Sequence, residues 1–326
     1  MKRLVYWELT PVDRGQLIRD YLAIFNGAID DITDKNGNVI RKGLQTRWEE
    51  WLRKNAPANN LPKNVKTLIV APFSKLVKFY EEFINIGVPE TKMGNNGRLV
   101  RSDELSELDE IFKYSQGFDN SIANFFINRA EILRINTCYY CETAYINTYT
   151  FWDQGAKNIR RQFDLDHFLP KGKCPCVGLS LFNFVPSCQV CNSRIKLGKI
   201  PGKDSTEYVK FSPSSKDSDF NNNIKVRLRF GTNKDGIKGR YIHMKTNHPY
   251  EKYVNFFHLE ERYEFHKNEA LRLNRLQKRY PEVKIRSIAN LLHYKPAIVK
   301  EDIFHLKYMK EEGRCFEKMT RDILTY

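Results

Sequence analysis

Two closely spaced pairs of cysteines constrain this chain more than any other feature of its sequence. Cys138 and Cys141 have two residues between them, Cys188 and Cys191 repeat that spacing, and 46 residues separate the pairs. Such a pair forms a tight turn that lets both sulfur atoms reach one ion, and two pairs complete a tetrahedral four-thiolate site. This closed site has no position for water, so the sequence predicts a structural zinc ion. A thioredoxin-like redox motif needs only one pair, in a βαβ context, and neither condition fits.

The other three cysteines receive no assigned role. Cys174 and Cys176 flank a proline and could add or replace a zinc ligand, but two pairs already supply four, so we expect reduced thiols in a loop. We expect Cys315 to be a packed helical thiol. Seven is an odd number for a disulfide framework, and Glu8 and Asp13 interrupt the apolar stretch that a signal peptide would need. The sequence therefore predicts a cytoplasmic protein.

The positive charge of the chain is concentrated in one segment. The 326 residues include 54 Lys plus Arg and 39 Asp plus Glu, a net charge of +15. Residues 1–130 have 19 basic and 17 acidic side chains, whereas residues 157–240 have 17 basic and 7 acidic ones. This concentration indicates a surface that contacts a polyanion, although a solvated basic face without a partner remains an alternative. The longest apolar runs, such as 68–73, are too short for a membrane span, so no membrane partner is expected.

The pattern of apolar residues predicts an α+β fold in three regions. Residues 1–135 have apolar side chains at helical spacing, with a break at Pro72. Residues 136–250 contain the cysteine pairs, short strand-like segments, and alternating segments at 224–230 and 240–245 that predict a β-hairpin. Residues 251–326 are again helical in pattern.

The segment between the cysteine pairs contains residues suited to metal-assisted phosphodiester hydrolysis. Asp166 and His167 end a predicted strand, Asn183 follows, and Asn192 begins a predicted helix after the second pair. A hard cation such as Mg²⁺ or Mn²⁺ takes carboxylate and amide oxygens as ligands, and a neutral histidine can accept a proton from water. Asp164 could be the ligand instead of Asp166. A structural histidine and a helix N-cap are the alternative interpretations of His167 and Asn192.

These residues together resemble the motif of the HNH endonucleases, which have a ββα-metal fold. The pattern is a cysteine pair, Asp166-His167 followed by Pro170, then Asn183, and a second cysteine pair followed by Asn192. The resemblance implies that His167 is the general base and that Asp166 and Asn192 bind the catalytic Mg²⁺ or Mn²⁺. It also implies that Asn183 holds the loop and orients the histidine backbone. The sequence corresponds to the His-Asn-Asn variant of the family.

The resemblance also implies DNA as the substrate, although RNA is not excluded. The C-terminal part is similar to a bacterial subgroup that serves antiphage defence beside an ATPase partner, as in the Septu system. Basic residues that flank the predicted site are candidates for phosphate binding: Lys171, Lys173, Arg194, Lys196 and Lys199. The competing hypothesis is a non-catalytic, zinc-stapled nucleic-acid-binding or assembly subunit. The aromatic residues at 145, 149, 151 and 152 could stack on bases, but the favoured interpretation is a packed strand.

Overall fold

The chain adopts an α+β fold, as the sequence predicts. The structure is a computed structural model that describes residues 1–94, 96–114, 117–232, 234, 236–305 and 313–324. The described residues form helices and five two-stranded antiparallel sheets, and the two strands of each sheet are consecutive in the chain. Antiparallel strands that follow each other in the chain can pair through a turn or loop, without a crossover connection.

The N-terminal region is mainly helical. Thr10 caps the first helix through the backbone N–H of Asp13, and Ser102 caps the fifth in the same way. Pro72 separates the third and fourth helices, which confirms the predicted break. The elements are α1 (Pro11–Ala23), β1 (Ile32–Thr33), β2 (Val39–Arg41), α2 (Leu44–Asn55), α3 (Val65–Val70), α4 (Phe73–Ile86), β3 (Thr91–Met93), β4 (Leu99–Arg101), α5 (Asp103–Phe112) and α6 (Asp119–Asn128).

The middle region contains the remaining strands. Its elements are β5 (Thr148–Asp153), β6 (Ala156–Arg161), β7 (Asp164–His167), β8 (Phe184–Ser187), a π-helix (Val190–Lys196), α7 (Ser205–Phe211), α8 (Phe220–Asn223), β9 (Ile224–Thr232) and β10 (Lys238–Thr246). In the β9–β10 hairpin Phe230 lies opposite Arg240, which confirms the hairpin predicted from the alternating segments. The helix predicted to start at Asn192 begins two residues earlier and is a π-helix.

The C-terminal region is helical and packs onto the rest of the chain. Its helices are α9 (Tyr250–Phe256), α10 (Leu259–Glu264), α11 (Lys267–Arg279), α12 (Glu282–Leu292), α13 (Pro296–Phe304) and α14 (Glu317–Leu324). The ring of Tyr140 stacks on Phe257 with centroids 4.8 Å apart, and the Tyr253 hydroxyl donates to the Tyr140 carbonyl at 3.0 Å. α9 thus holds the segment that carries the first cysteine pair.

One apolar core runs through all three regions. Trp48 and Trp51 of α2 are fully buried, and the Tyr21 hydroxyl of α1 donates to the Leu179 carbonyl between β7 and β8. A smaller cluster lies between α12 and α13 around Ile285. Because the large core includes residues from each region, the N-terminal helices directly support the segment between the cysteine pairs.

Candidate metal and catalytic site

The four paired cysteines meet at one point of the fold. Cys138, Cys141, Cys188 and Cys191 are buried, and their Sγ atoms all lie within 4.8 Å of one another. The Sγ atoms of Cys141 and Cys188 are 4.0 Å apart, and a tetrahedral ion with 2.3 Å bonds to sulfur would need about 3.8 Å. The sequence prediction that both pairs can bind one metal ion is therefore confirmed.

Two N–H groups donate to sulfur atoms of the cluster. Arg262 of α10 lies 3.3 Å from Cys191 Sγ through Nη1, and the backbone N–H of Thr143 donates to Cys141 Sγ at 3.4 Å. Hydrogen bonds from the neighbouring thiols, together with the Arg262 charge, hold the pKa of Cys141 well below its usual value. The sequence contains no spacing that would have identified Arg262, because it approaches the cluster from another region of the chain.

Two carboxylates of β7 face two polar side chains of the π-helix. Asn192 donates from Nδ2 to Asp164 Oδ2 at 3.0 Å, and the Lys196 ammonium lies 3.2 Å from Asp166 Oδ2. Asp164 and Asp166 are two residues apart on a strand, so their side chains lie on the same face, about 6.6 Å from each other. Asn192 and Lys196 are four residues apart in a helix, so they are also neighbours on one face. Asn192, which was expected to bind a metal ion together with Asp166, contacts Asp164, the alternative ligand, instead.

The carboxylate of Asp166 is engaged by protein groups on both oxygens. The Tyr140 hydroxyl donates to Oδ2 at 2.6 Å, and Lys196 Nζ donates to Oδ1 at 3.3 Å and to the His167 carbonyl at 2.7 Å. Burial raises the pKa of Asp166 and lowers that of Lys196, while their attraction opposes both shifts. Lys196, one of the predicted phosphate ligands, is 0% exposed and lies inside the protein. Its charge neutralises Asp166 instead.

Asp164 and Asn192 offer the donor set that the sequence placed at Asp166 and Asn192. Both side chains are half-buried, so solvent reaches this junction of β7 and the π-helix. In this pair the amide nitrogen of Asn192 faces the carboxylate, and the same amide group also carries an oxygen. A carboxylate and an amide oxygen together are ligands that suit a hard cation with bound waters. Asn192 lies inside the π-helix, with its N–H bonded to the Cys188 carbonyl, so it is not a helix N-cap.

His167 is buried on the opposite face of β7. Its ring lies between Tyr114 and Phe184, with centroids 4.6 and 4.7 Å away. Nε2 donates to the Gly178 carbonyl at 2.9 Å, which leaves the lone pair on Nδ1. Burial lowers the pKa to about 3, so the ring is neutral at pH 7. Within the described residues, no hydrogen bond joins this side chain to Asp164 or to the π-helix.

Asn183 holds the loop that follows β7. Its Oδ1 accepts from the Leu169 N–H at 2.8 Å, and its Nδ2 donates to the carbonyls of Leu169 and Val177 at 3.0 and 3.1 Å. Its own carbonyl accepts from the Phe168 N–H at 2.9 Å. These hydrogen bonds hold the loop after β7 and fix the backbone next to His167, which is the role that the resemblance implies for Asn183. Asn183 itself is fully buried.

A cavity of about 490 Å³ lies beside the packing shell of His167. Tyr114 and Gly178, which contact the histidine ring, are among its lining residues, and Lys171 lies over the Tyr114 ring at 4.9 Å. Arg101, which the sequence did not single out, also lines it and donates to the Gly172 carbonyl. Of the other predicted phosphate ligands, three are exposed at the surface: Lys173, Arg194 and Lys199.

No family model, curated protein or solved structure matches this chain. The resemblance to HNH endonucleases therefore depends on the motif residues and their placement. Within the part of the chain that the structure describes, no helix combines the length and apolar character needed to cross a bilayer.

Proposed function

We propose that this protein is a divalent-metal-dependent endonuclease with a structural zinc ion. The observation that carries the proposal is the junction of β7 and the π-helix, where the four-cysteine cluster lies beside the Asp164–Asn192 pair. Strands β7 and β8 with the π-helix form a strand–strand–helix unit of the kind that the HNH resemblance leads us to expect. A neutral His167 ends the same strand. We assign zinc to the cluster because four thiolates in tetrahedral spacing favour it.

In this proposal the site residues divide into metal ligands, a proton acceptor and a residue that positions the backbone. Asp164 and Asn192 hold Mg²⁺ or Mn²⁺, with Asp164 replacing Asp166 in that role because Lys196 already neutralises Asp166. The bound ion would stabilise negative charge on the phosphate and the leaving oxygen. The Gly178 carbonyl fixes the proton of His167 on Nε2, which leaves Nδ1 as the proton acceptor. To take a proton from water at the Asp164–Asn192 pair, the ring would have to leave its place between Tyr114 and Phe184 and turn to the other face of β7. Asn183 positions the backbone on which the histidine stands.

We take DNA to be the substrate, by resemblance, with RNA as the alternative outcome of the assay. The net charge of +15 and the exposed side chains of Lys173, Arg194 and Lys199 favour a polyanion. A role in antiphage defence beside an ATPase partner belongs to the same resemblance. Stoichiometric co-purification of such a partner, and cleavage that requires it, would support that part.

The test compares cleavage of duplex DNA, single-stranded DNA and RNA with Mg²⁺, Mn²⁺ or EDTA. His167→Gln keeps an amide donor for the Gly178 carbonyl, so we expect folding and zinc content to persist while cleavage falls about 100-fold or more. His248→Gln is the matched control, because His248 is exposed and should not affect the rate. Retained cleavage in His167→Gln would refute the role of His167. Asp164→Asn should abolish metal-dependent cleavage.

A second candidate function is favoured by two observations. Lys196 supplies the positive charge beside Asp166, and aromatic rings contact the His167 ring on two sides. Both arrangements give Asp166 and His167 structural partners, as expected if the zinc-stapled region binds nucleic acid without catalysis. In that case binding would survive EDTA, and no combination of metal and substrate would yield cleavage.

A further inference from the structure

The β5–β6 hairpin has an unusually exposed set of aromatic side chains. Trp152 is 70% exposed and Tyr149 is 42% exposed. The favoured sequence interpretation of this segment as a packed strand is therefore wrong, although β5 is a strand. Apolar rings of this size left in water forgo the free energy that burial would provide, so their presence on an exposed hairpin points to a binding partner.

Each face of the hairpin combines an aromatic ring with a cation. Tyr149 lies opposite Arg160, whose guanidinium stands 4.9 Å above the ring of Phe151 on the same face. On the other face Trp152 lies opposite Lys157. Because side chains alternate along a strand, Tyr149 and Phe151 lie on one face of the hairpin and Trp152 lies on the other.

This arrangement favours single-stranded nucleic acid over other partners. Aromatic planes stack on bases and neighbouring cations contact phosphates, and only unpaired bases expose their faces for stacking. Three cations, Lys157, Arg160 and Arg161, outweigh the single carboxylate of Asp153, so the charge suits a polyanion. A membrane-binding hairpin would collect its rings on one face, whereas here they are divided between two.

The hairpin is directly continuous with the strand of the candidate site. Gln162 donates from its backbone N–H to the Asn147 carbonyl at 2.7 Å, which closes the base of the hairpin. β6 ends at Arg161, and β7 begins at Asp164. Tyr149 and Arg160 lie near this base and Trp152 lies near the turn, so a nucleic acid strand that runs along the hairpin would approach β7 at its Tyr149 end.

We propose that the β5–β6 hairpin is an arm that binds single-stranded nucleic acid. Trp152 stacks on a base from one face, Tyr149 stacks from the other, and the three cations contact phosphates. The proposal concerns binding alone, so it goes beyond the proposed hydrolysis and stands whether or not the chain cleaves its ligand.

The first test measures binding of labelled single strands of about 16 nucleotides to the full chain in EDTA, by fluorescence anisotropy. Trp152→Ala should weaken binding about 5- to 100-fold, because base stacking is lost. Phe265→Ala is the matched control, since Phe265 is 87% exposed but lies in another region of the chain, and it should leave the affinity unchanged. Of the four tryptophans, Trp48 and Trp51 are fully buried and Trp7 is half-buried against Phe182, so most of the oligonucleotide quenching of tryptophan fluorescence should disappear in Trp152→Phe.

The second test measures the salt dependence of binding. Replacing both Arg160 and Arg161 by Gln should reduce the slope of log affinity against log salt by about 1.4, since each single-strand phosphate contact contributes about 0.7. The same exchange at the exposed Arg53 and Lys66 should leave the slope unchanged. Melting temperatures equal to that of the unaltered protein would show that each variant is folded.

Three results would overturn the proposal. One is an unchanged affinity in Trp152→Ala, or an equal loss in Phe265→Ala. Another is tighter binding to the matching duplex than to the single strand. The third is Trp152-dependent binding to vesicles of anionic lipid with no binding to oligonucleotides. His167→Gln should keep full affinity, so loss of cleavage and loss of binding are separate outcomes.

Discussion

Replacing Lys196 by Met provides a direct test of the buried ion pair beside β7. The Lys196 ammonium is fully buried and lies 3.2 Å from Asp166 Oδ2 and 2.7 Å from the His167 carbonyl. Methionine is similar in size and has no charge, so the substitution leaves the Asp166 carboxylate buried with Tyr140 as its remaining donor. A buried carboxylate that loses its cation is expected to bind a proton.

The expected cost follows from the proton that Asp166 must take up. An unfolded aspartate has a pKa of about 3.9, so keeping it protonated in the folded state at pH 7 costs at most about 4 kcal/mol. That limit agrees with the roughly 3–5 kcal/mol found when one partner of a buried pair is removed. A raised folded-state pKa stabilises the protein at low pH and loses that effect as the pH rises. The penalty should therefore shrink to about 1.5 kcal/mol at pH 5.

Urea denaturation at pH 7 and pH 5 measures this difference. Lys199→Met is the matched control, because Lys199 is exposed, and its stability should change by less than about 0.5 kcal/mol. Adding Asp166→Leu to Lys196→Met should recover most of the loss at pH 7, since no uncompensated charge remains. A loss below about 1 kcal/mol that is equal at both pH values would refute the reasoning, because it would mean that Asp166 is hydrated without Lys196.

Three further predictions concern the metal cluster and the loop after β7. The purified protein should contain one zinc ion per chain, as measured by metal analysis. Cys191→Ser should contain no zinc and should show no cooperative unfolding transition in thermal melting. Arg262→Gln should keep the fold but weaken zinc retention about 10- to 100-fold in a chelator competition, and unchanged retention would contradict a role for its contact with Cys191. Asn183→Ala should lower the free energy of unfolding by about 2–4 kcal/mol, because buried backbone groups lose their partners, and a change below about 1 kcal/mol in urea would contradict this.

Local sequence patterns predicted much of the fold. The break at Pro72 follows from the missing N–H and fixed backbone angle of proline, and the β9–β10 hairpin follows from alternation over a short separation. The meeting of two cysteine pairs 46 residues apart was also predictable, because few other arrangements use both pairs. Each inference depends on neighbours in sequence or on one strong ligand preference.

Contacts between elements were harder to predict. Asn192 contacts Asp164 rather than Asp166, because the register of the π-helix against β7 decides which carboxylate each side chain meets. A basic residue near a predicted phosphate site is ordinarily exposed, yet Lys196 is buried by that same register. The aromatic residues of β5 were expected to lie in a packed strand, whereas nothing among the residues that the structure describes covers Trp152, which is 70% exposed.

The sequence by itself determined the residue types available for chemistry, the paired thiols and the local helices and hairpins. The reason is that ligand spacing and side-chain periodicity are properties of short segments. That His167 and Asp166 point to opposite faces of β7 follows from the alternation of a strand, but only the tertiary structure decided which groups meet them there. Those partners come from distant parts of the chain, so the charge balance of the site depends on packing and register rather than on any local motif.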